Sequence, residues 1–202
     1  MIHGEELEDQ PVEEEGGIPF GIPDEEQPLI GLVGEVSEGA AQQLALMLIN
    51  FNGGSILREP PEEKEKDIEF FISSSGGSVS EMFTVYDLMC LVKNNRDIPT
   101  FGYGKIASAA VPLLAAGTEG KRYIAKNARL MIHHCSSALG GPVPNVRNSL
   151  QELNKVEEMM VQAIARHTNL SVSEIYNIMS RNTDEYFSAE EALEMGIVDK
   201  II

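Results

Sequence analysis

From Leu29 onward, short apolar runs alternate with longer segments in which apolar residues recur every three or four positions. Strand-like runs occupy residues 29–33, 68–72, 100–103, 123–124 and 129–132, and helical spacing occupies 40–51, 82–93, 108–116, 145–168, 171–181 and 188–195. Apolar runs this short are typical of buried strands, and the longer amphipathic segments suit the helices that connect parallel strands. The alternation therefore predicts an α/β domain with a largely parallel sheet.

Residues 1–28 differ in composition from the rest of the chain. They hold ten of the 32 acidic residues, four prolines and no Lys or Arg. Such a segment buries little apolar surface and repels itself, so we expect a flexible acidic tail at 1–28 and one domain at 29–202. A solvated leader is the favoured interpretation of the tail, and a removable propeptide or a partner-docking arm are the alternatives.

Composition narrows the classes of protein that the chain can belong to. Its 202 residues, 43% of them hydrophobic, suffice for one globular domain with a core. No apolar stretch reaches the roughly 18 residues of a membrane span, no signal peptide is visible, and two cysteines without a CxxC motif indicate a reducing compartment. A net charge of −17 disfavours binding to nucleic acid or anionic membranes. We expect a cytoplasmic protein with neither partner.

The residue types of a Ser-His-Asp triad occur in three distant segments. Ser108 lies between alanines where a strand meets a helix, His133 ends the apolar run 129–132, and Asp184 lies in a loop. A serine hydroxyl becomes nucleophilic when an imidazole accepts its proton and a carboxylate orients that imidazole. Taken singly, Ser108 could be a helix N-cap and Asp184 a solvated loop residue.

Other polar residues near these segments have simpler interpretations. Gly76 and Gly77, in a predicted loop at 73–78, could present free amides to an oxyanion or could form a tight turn. On a strand His133 and Cys135 would share a face while His134 points away. Cys135 stays open as an alternative nucleophile, whereas the spacing of the Cys and His residues predicts no metal site. His167 falls in a predicted helix and is expected to be a structural or surface residue.

Several of these segments together resemble the proteolytic subunit of the Clp protease family. The resemblance is carried by Ser74-Ser-Gly-Gly77, by the nucleophile segment 104–117, by 120–122 and 128–133 around the histidine, and by 187–199 near the C-terminus. The motifs occur in the family's order and spacing, and the similarity covers roughly residues 29–202.

The resemblance implies a role for each matching residue. Ser108 would be the nucleophile, His133 the general base and then the general acid, and Asp184 the residue that orients His133. The backbone amides of Gly77 and Ala109 would form the oxyanion hole. No metal ion and no organic cofactor would be needed.

The family's fold is a crotonase-like α/β unit with mainly parallel sheets and a protruding helical handle, which would fall at about 145–168. The resemblance implies an ATP-dependent serine endopeptidase that assembles into heptameric rings, single or stacked, around enclosed active sites. Its substrates would be peptides or unfolded proteins delivered by an AAA+ unfoldase. Two alternatives are a non-catalytic ring subunit and an acyl-CoA enzyme of the crotonase superfamily. A virus-encoded member that processes assembly proteins would keep the peptidase chemistry.

Overall fold

The computed structural model describes residues 17–22, 28–138, 140–181 and 183–202. Within these ranges the strands are β1 (Ile18–Ile22), β2 (Leu29–Val36), β3 (Glu69–Gly77), β4 (Thr100–Ala107), β5 (Arg122–Ile124), β6 (Arg129–Ile132), β7 (Glu185–Phe187) and β8 (Lys200–Ile201). The helices are α1 (Glu38–Phe51), α2 (Val79–Val92), α3 (Ala110–Ala115), α4 (Val143–His167), α5 (Val172–Met179) and α6 (Ala189–Glu194). None of the helices in these ranges is long and apolar enough to cross a membrane.

The strands form one sheet with the order β1-β2-β3-β4-β5-β8, and β6 and β7 branch from β4. Pairing is parallel except between β1 and β2 and between β6 and β7. Helices α1 and α2 contact each other, and α3 contacts β3 and β4. Their buried residues join those of the central strands in one core, because strands of a parallel sheet need cover on their faces. The predicted α/β domain with a largely parallel sheet is confirmed.

Strand β4 changes partners along its length. Its first half, residues 100–102, pairs with β5, and its second half, residues 105–107, pairs with β6. Between them Gly104 has a φ of +62°, which glycine adopts without a Cβ clash. Because β4 and β6 are parallel neighbours there, their carboxyl ends open at the same edge of the sheet. Ser108 directly follows the end of β4, and His133 directly follows the end of β6.

Two segments differ from the sequence-based expectation. Residues 73–77 are not a loop but the second half of β3, paired with β2 across a bulge after Gly34. Small polar residues fit this position because Ser74 is fully buried between two neighbouring strands. Helix α3 begins at Ala110 rather than at Ser108, which lies in the turn between β4 and α3.

The predicted tail at 1–28 contains a strand. Residues 18–22 form β1, which runs antiparallel to β2 with Ile18 opposite Val33 and Ile22 opposite Leu29. The expectation of a flexible segment fails for these five residues, because their sequence, Ile-Pro-Phe-Gly-Ile, is apolar within an otherwise acidic segment and pairs with the edge of β2. Residues 1–16 and 23–27, which carry the acidic groups of the tail, lie outside the described residues.

The long helix predicted at 145–168 is α4, which runs from Val143 to His167. Its C-terminal half is fixed to the core through Met160, Val161, Ala163 and Ile164, and it contacts α3 and α5. Most side chains of its first three turns are exposed. The helix therefore projects from the core at its N-terminal end.

Candidate active site

Ser108 has a backbone conformation that few non-glycine residues adopt. Its φ is +54°, in the left-handed region, where a side chain costs on the order of 1 to 2 kcal/mol. The turn is held by hydrogen bonds from the Ser108 amide to the Met131 carbonyl (2.9 Å) and from the Val111 amide to the Ser108 carbonyl (3.0 Å). The N-cap of α3 is Ala109, so Ser108 is not the helix cap that the sequence alone also allowed.

Asp184 lies next to His133 because of the antiparallel pairing of β6 and β7. Ile132 is the register partner of Glu185, so the residues just beyond that pair, His133 and Asp184, leave the two strands side by side. His133 Nδ1 is 3.3 Å from Asp184 Oδ1. A carboxylate at this position favours the tautomer with hydrogen on Nδ1, which leaves Nε2 as the basic nitrogen.

Ser108 and His133 line one cleft of about 1050 Å³. His133 and Asp184 also line a smaller cavity of about 210 Å³. Among the hydrogen bonds of the described residues, none joins the Ser108 hydroxyl to His133. Such bonds between nucleophile and base often tighten only in the substrate complex. The structure thus brings the three predicted residues to one place and makes the His133–Asp184 contact.

Of the two glycines that end β3, Gly76 lies against the turn that carries Ser108 and Gly77 lies against β2. Both line the cleft, with φ values of +87° at Gly76 and +143° at Gly77. A Cβ on Gly76 would lie 2.6 Å from the Ala107 carbonyl oxygen and 2.6 Å from Ser108 Cβ. Only glycine allows this approach. The Gly76 amide donates to Ser74 Oγ at 3.1 Å, whereas the Ala109 amide has no hydrogen-bond partner within the described part of the chain.

Comparison with known proteins places the chain in a family. The profile of the Clp protease family matches residues 30–202. The chain belongs to the Clp protease family. Its crotonase-like α/β fold is the fold of that family, as the resemblance of the sequence implied.

Curated relatives agree with this assignment. The ATP-dependent Clp protease proteolytic subunit 2 of Thermobifida fusca is 37% identical over 161 residues, which are 80% of this chain and 77% of the relative. Subunit 2 of Bifidobacterium longum is 36% identical over 141 residues, 70% of this chain and 66% of the relative. Subunit 3 of Frankia casuarinae is 38% identical over 141 residues, 70% of this chain and 64% of the relative. This Clp protease family member therefore aligns with about two thirds to three quarters of their lengths.

Cys135 also lines the cleft of this Clp protease family member, but its thiol is poorly suited to attack. Burial, together with the negative charge of Glu157, raises the pKa of Cys135 to about 11. The thiol therefore stays protonated near neutral pH, where the thiolate is the reactive form. These surroundings disfavour Cys135 as an alternative nucleophile.

His134 and His167 are held outside the cleft. His134 Nδ1 lies 3.0 Å from Glu157 Oε2 on α4 and pairs with that carboxylate rather than with Asp184. His167 Nε2 lies 2.9 Å from the Tyr86 hydroxyl, and burial lowers the pKa of His167 to about 4, so its imidazole is neutral. This agrees with a structural role for His167. Within residues 17–22, 28–138, 140–181 and 183–202, no three His, Cys, Asp or Glu side chains cluster as metal ligands would.

Sequence reasoning missed the contribution of α4 to the cleft. Ser149, Glu152, Leu153 and Val156 line it, so one wall is formed by the helix that projects from the core. It also missed Glu157, which contacts the segment just after His133. The apolar spacing of α4 was visible, but which residues face the cleft depends on how the helix docks on α3 and α5.

Proposed function

We propose that this member of the Clp protease family is a serine endopeptidase with Ser108, His133 and Asp184 as its triad. The observation that carries the proposal is their convergence from three distant segments. Ser108 and His133 line one cleft, and Asp184 Oδ1 lies 3.3 Å from His133 Nδ1. Family membership supports the same chemistry, because the relatives are named proteolytic subunits.

Acylation begins when the Ser108 hydroxyl oxygen attacks the carbonyl carbon of the scissile peptide bond. The hydroxyl proton passes to His133 Nε2, and the Asp184 carboxylate stabilises the imidazolium. The tetrahedral oxyanion accepts hydrogen bonds from the amides of Gly77 and Ala109. The unpartnered Ala109 amide supports this role, because a donor already bonded elsewhere would first have to be released.

The intermediate collapses when the C–N bond breaks and His133 gives its proton to the leaving amine. A water molecule then attacks the acyl-enzyme with His133 as base, and the C–O bond to Ser108 breaks. The products are a peptide with a new carboxylate and a peptide with a new amine. Each proton taken up by His133 is returned, so no cofactor is consumed.

The proposed assembly is a heptameric ring, single or stacked, in the cytoplasm. Its substrates would be unfolded polypeptides, and its partner an ATP-driven AAA+ unfoldase. The names of the relatives, ATP-dependent Clp protease proteolytic subunits, support a partner that uses ATP. Exposed apolar residues support self-association through α4: Val143 and Leu150 lie on its projecting part, and Met159 lies nearer to the core.

Fluorophosphonate labelling tests the chemistry, because the reagent reacts with activated serines. We expect Ser108 to be the modified residue by mass spectrometry, and Ser108→Ala to abolish both labelling and peptide hydrolysis. Ser137→Ala, in the same cleft, is the matched control and should retain both. Labelling of Cys135 or another serine in Ser108→Ala would contradict the assignment, and an unlabelled wild type would favour the non-catalytic or acyl-CoA alternatives.

Sedimentation across protein and salt concentrations tests the assembly separately. With a net charge of −17 per subunit, repulsion between subunits should be strongest at low ionic strength, where rings should dissociate most. A monomer under every condition would remove the ring and the enclosed chamber from the proposal. It would leave the triad chemistry untouched.

A further inference from the structure

Glu157 connects α4 to the two residues that directly follow His133. Its Oε2 accepts a hydrogen bond from the Cys135 amide at 2.9 Å and lies 3.0 Å from His134 Nδ1. The Glu157 side chain is only 18% exposed. Hydrogen bonds to an ionised, partly buried carboxylate are roughly twice as strong as bonds between neutral groups.

The backbone after His133 has few other restraints. Strand β6 ends at Ile132, and residues 134–138 make no backbone–backbone hydrogen bond with the rest of the described chain. The Cys135 amide therefore has Glu157 as its partner among the described residues. On the other side of this contact, Glu157 is one helical turn from Met160 and Val161 and two turns from Ile164, and all three are buried in the core. The Glu157–Cys135 contact therefore connects residues 134–138, which have few other restraints, to the part of α4 that packs on the core.

We propose that Glu157 is a positioning residue for His133. This proposal rests on the proposed function, because it assigns to Glu157 the placement of His133 as the general base. Glu157 fixes the backbone two residues beyond the imidazole and so limits how far His133 can move from Ser108 and Asp184. Misplacement of a catalytic group by 1 Å can cost about 100-fold in rate.

The same helix supplies part of the cleft wall. Leu153 and Val156 line the cleft, and Glu157 is the next residue after Val156. A shift of α4 at this turn therefore moves the wall against which substrate lies and the anchor of the His133 segment together. Glu157 links the width of the cleft to the position of the base.

The test compares Glu157→Ala, Glu157→Gln and Glu158→Ala. Glu158 is the exposed neighbour, whose side chain accepts a hydrogen bond from Gln162, and it serves as the matched control. Each variant is assayed for Ser108 acylation rate with a fluorophosphonate, for kcat and KM on a short peptide, and for thermal midpoint. Rates are expressed per labelled site, so that misfolded protein does not count as a slower enzyme.

We expect Glu157→Ala to lower the acylation rate and kcat per site by about 10- to 100-fold with KM within a few-fold. Glu157→Gln should recover most of the loss, because its amide oxygen still accepts from the Cys135 N–H. Glu158→Ala should match wild type. If Glu157→Ala does not fold, Glu157→Leu, which keeps helix propensity and the apolar stem, carries the same expectation.

The contrary outcomes are distinct. A variant with fewer labelled sites or a lower thermal midpoint but an unchanged rate per site would show that Glu157 is only structural and would overturn this proposal. Equal losses in Glu157→Ala and Glu157→Gln would overturn the hydrogen-bond explanation. If the wild-type chain is not labelled at Ser108, the proposed function fails first and the role of Glu157 falls with it.

Discussion

Replacing Gly76 with alanine would press β3 against the turn that carries Ser108. The added Cβ would lie 2.6 Å from the Ala107 carbonyl oxygen and Ser108 Cβ, and 3.0 Å from the Ala109 nitrogen. Ordinary van der Waals contact begins near 3.4 Å, so the strand and the turn must separate by about 0.8 Å. None of the three atoms is the end of a flexible side chain, so rotation about a side-chain bond cannot relieve the clash.

The expected cost follows from that displacement. Since a 1 Å misplacement can cost about 100-fold, we expect kcat to fall by roughly 10- to 100-fold, or about 1.4 to 2.7 kcal/mol of barrier. The positive φ of +87° adds a folding cost of about 1 to 2 kcal/mol for any residue with a Cβ. Gly120→Ala isolates this second cost, because Gly120 has a φ of +81° and its Cβ would meet nothing within 4 Å.

The assay is peptide hydrolysis per fluorophosphonate-labelled site, with thermal unfolding measured in parallel. Gly120→Ala should unfold more easily than wild type and keep its kcat per site. Gly76→Ala should show a similar or larger loss of stability and, in addition, the loss of kcat. If Gly76→Ala hydrolyses peptide at the rate of Gly120→Ala, the close approach of β3 to Ser108 has no catalytic consequence and the reasoning is refuted.

Three further expectations concern the triad, a buried ion pair and the N-terminal region. His133→Ala should be about as damaging to hydrolysis as loss of Ser108, whereas His134→Ala should keep most activity. The reverse kinetic result would show that His134, and not His133, is the base. Arg122 and Asp199 form a largely buried pair at 2.6 Å. Burial raises the pKa of Asp199, but the hydrogen bonds that Asp199 accepts from Arg122 lower the pKa by a larger amount. The pKa of Asp199 therefore lies below its usual range. The stability from the pair is therefore complete above about pH 4 and lost as pH falls through the lowered pKa. Arg122→Met should lower the free energy of unfolding by about 2 to 3 kcal/mol at pH 7, which is less than the loss expected for a fully buried pair. The loss should be smaller at pH 3, as measured by urea unfolding. A loss that is the same at both pH values would contradict this expectation. Deleting residues 1–16 should leave hydrolysis of short peptides within a few-fold, while a deletion extended through β1 should lower the thermal midpoint; equal midpoints would show that β1 adds no stability.

Sequence patterns predicted the elements that bury long apolar runs. The alternation from Leu29 onward indicated the central parallel strands, because such strands are covered on both faces and read as continuous apolar runs. The spacing of Ser171 and Glu174 is typical of a capping box, and the structure forms that capping box at the start of α5. Short or polar strands could not be predicted from the sequence. β7 has three residues, and the second half of β3 consists of serines and glycines, which form a strand because they pair with the neighbouring strands.

The candidate site was predictable in its residue types but not in its geometry. Ser108, His133 and Asp184 could be selected from local segments and from the resemblance to the family. The left-handed conformation of Ser108 depends on hydrogen bonds to β6 and α3, and no local sequence pattern predicts it. Glu157 lies in the middle of a long helix among other acidic residues, so its contact with Cys135 depends on tertiary docking alone.

The position of β7 has a consequence for how this protein folds. Asp184 reaches His133 only after β7, near the C-terminus, has paired with β6, which must itself lie beside the second half of β4. Contacts between segments so distant in sequence form late, because the loops between them must close first. We therefore expect a nascent or partly folded chain to lack the His133–Asp184 pair beside Ser108. Under the proposed function, peptide hydrolysis would begin only once β7 has paired with β6.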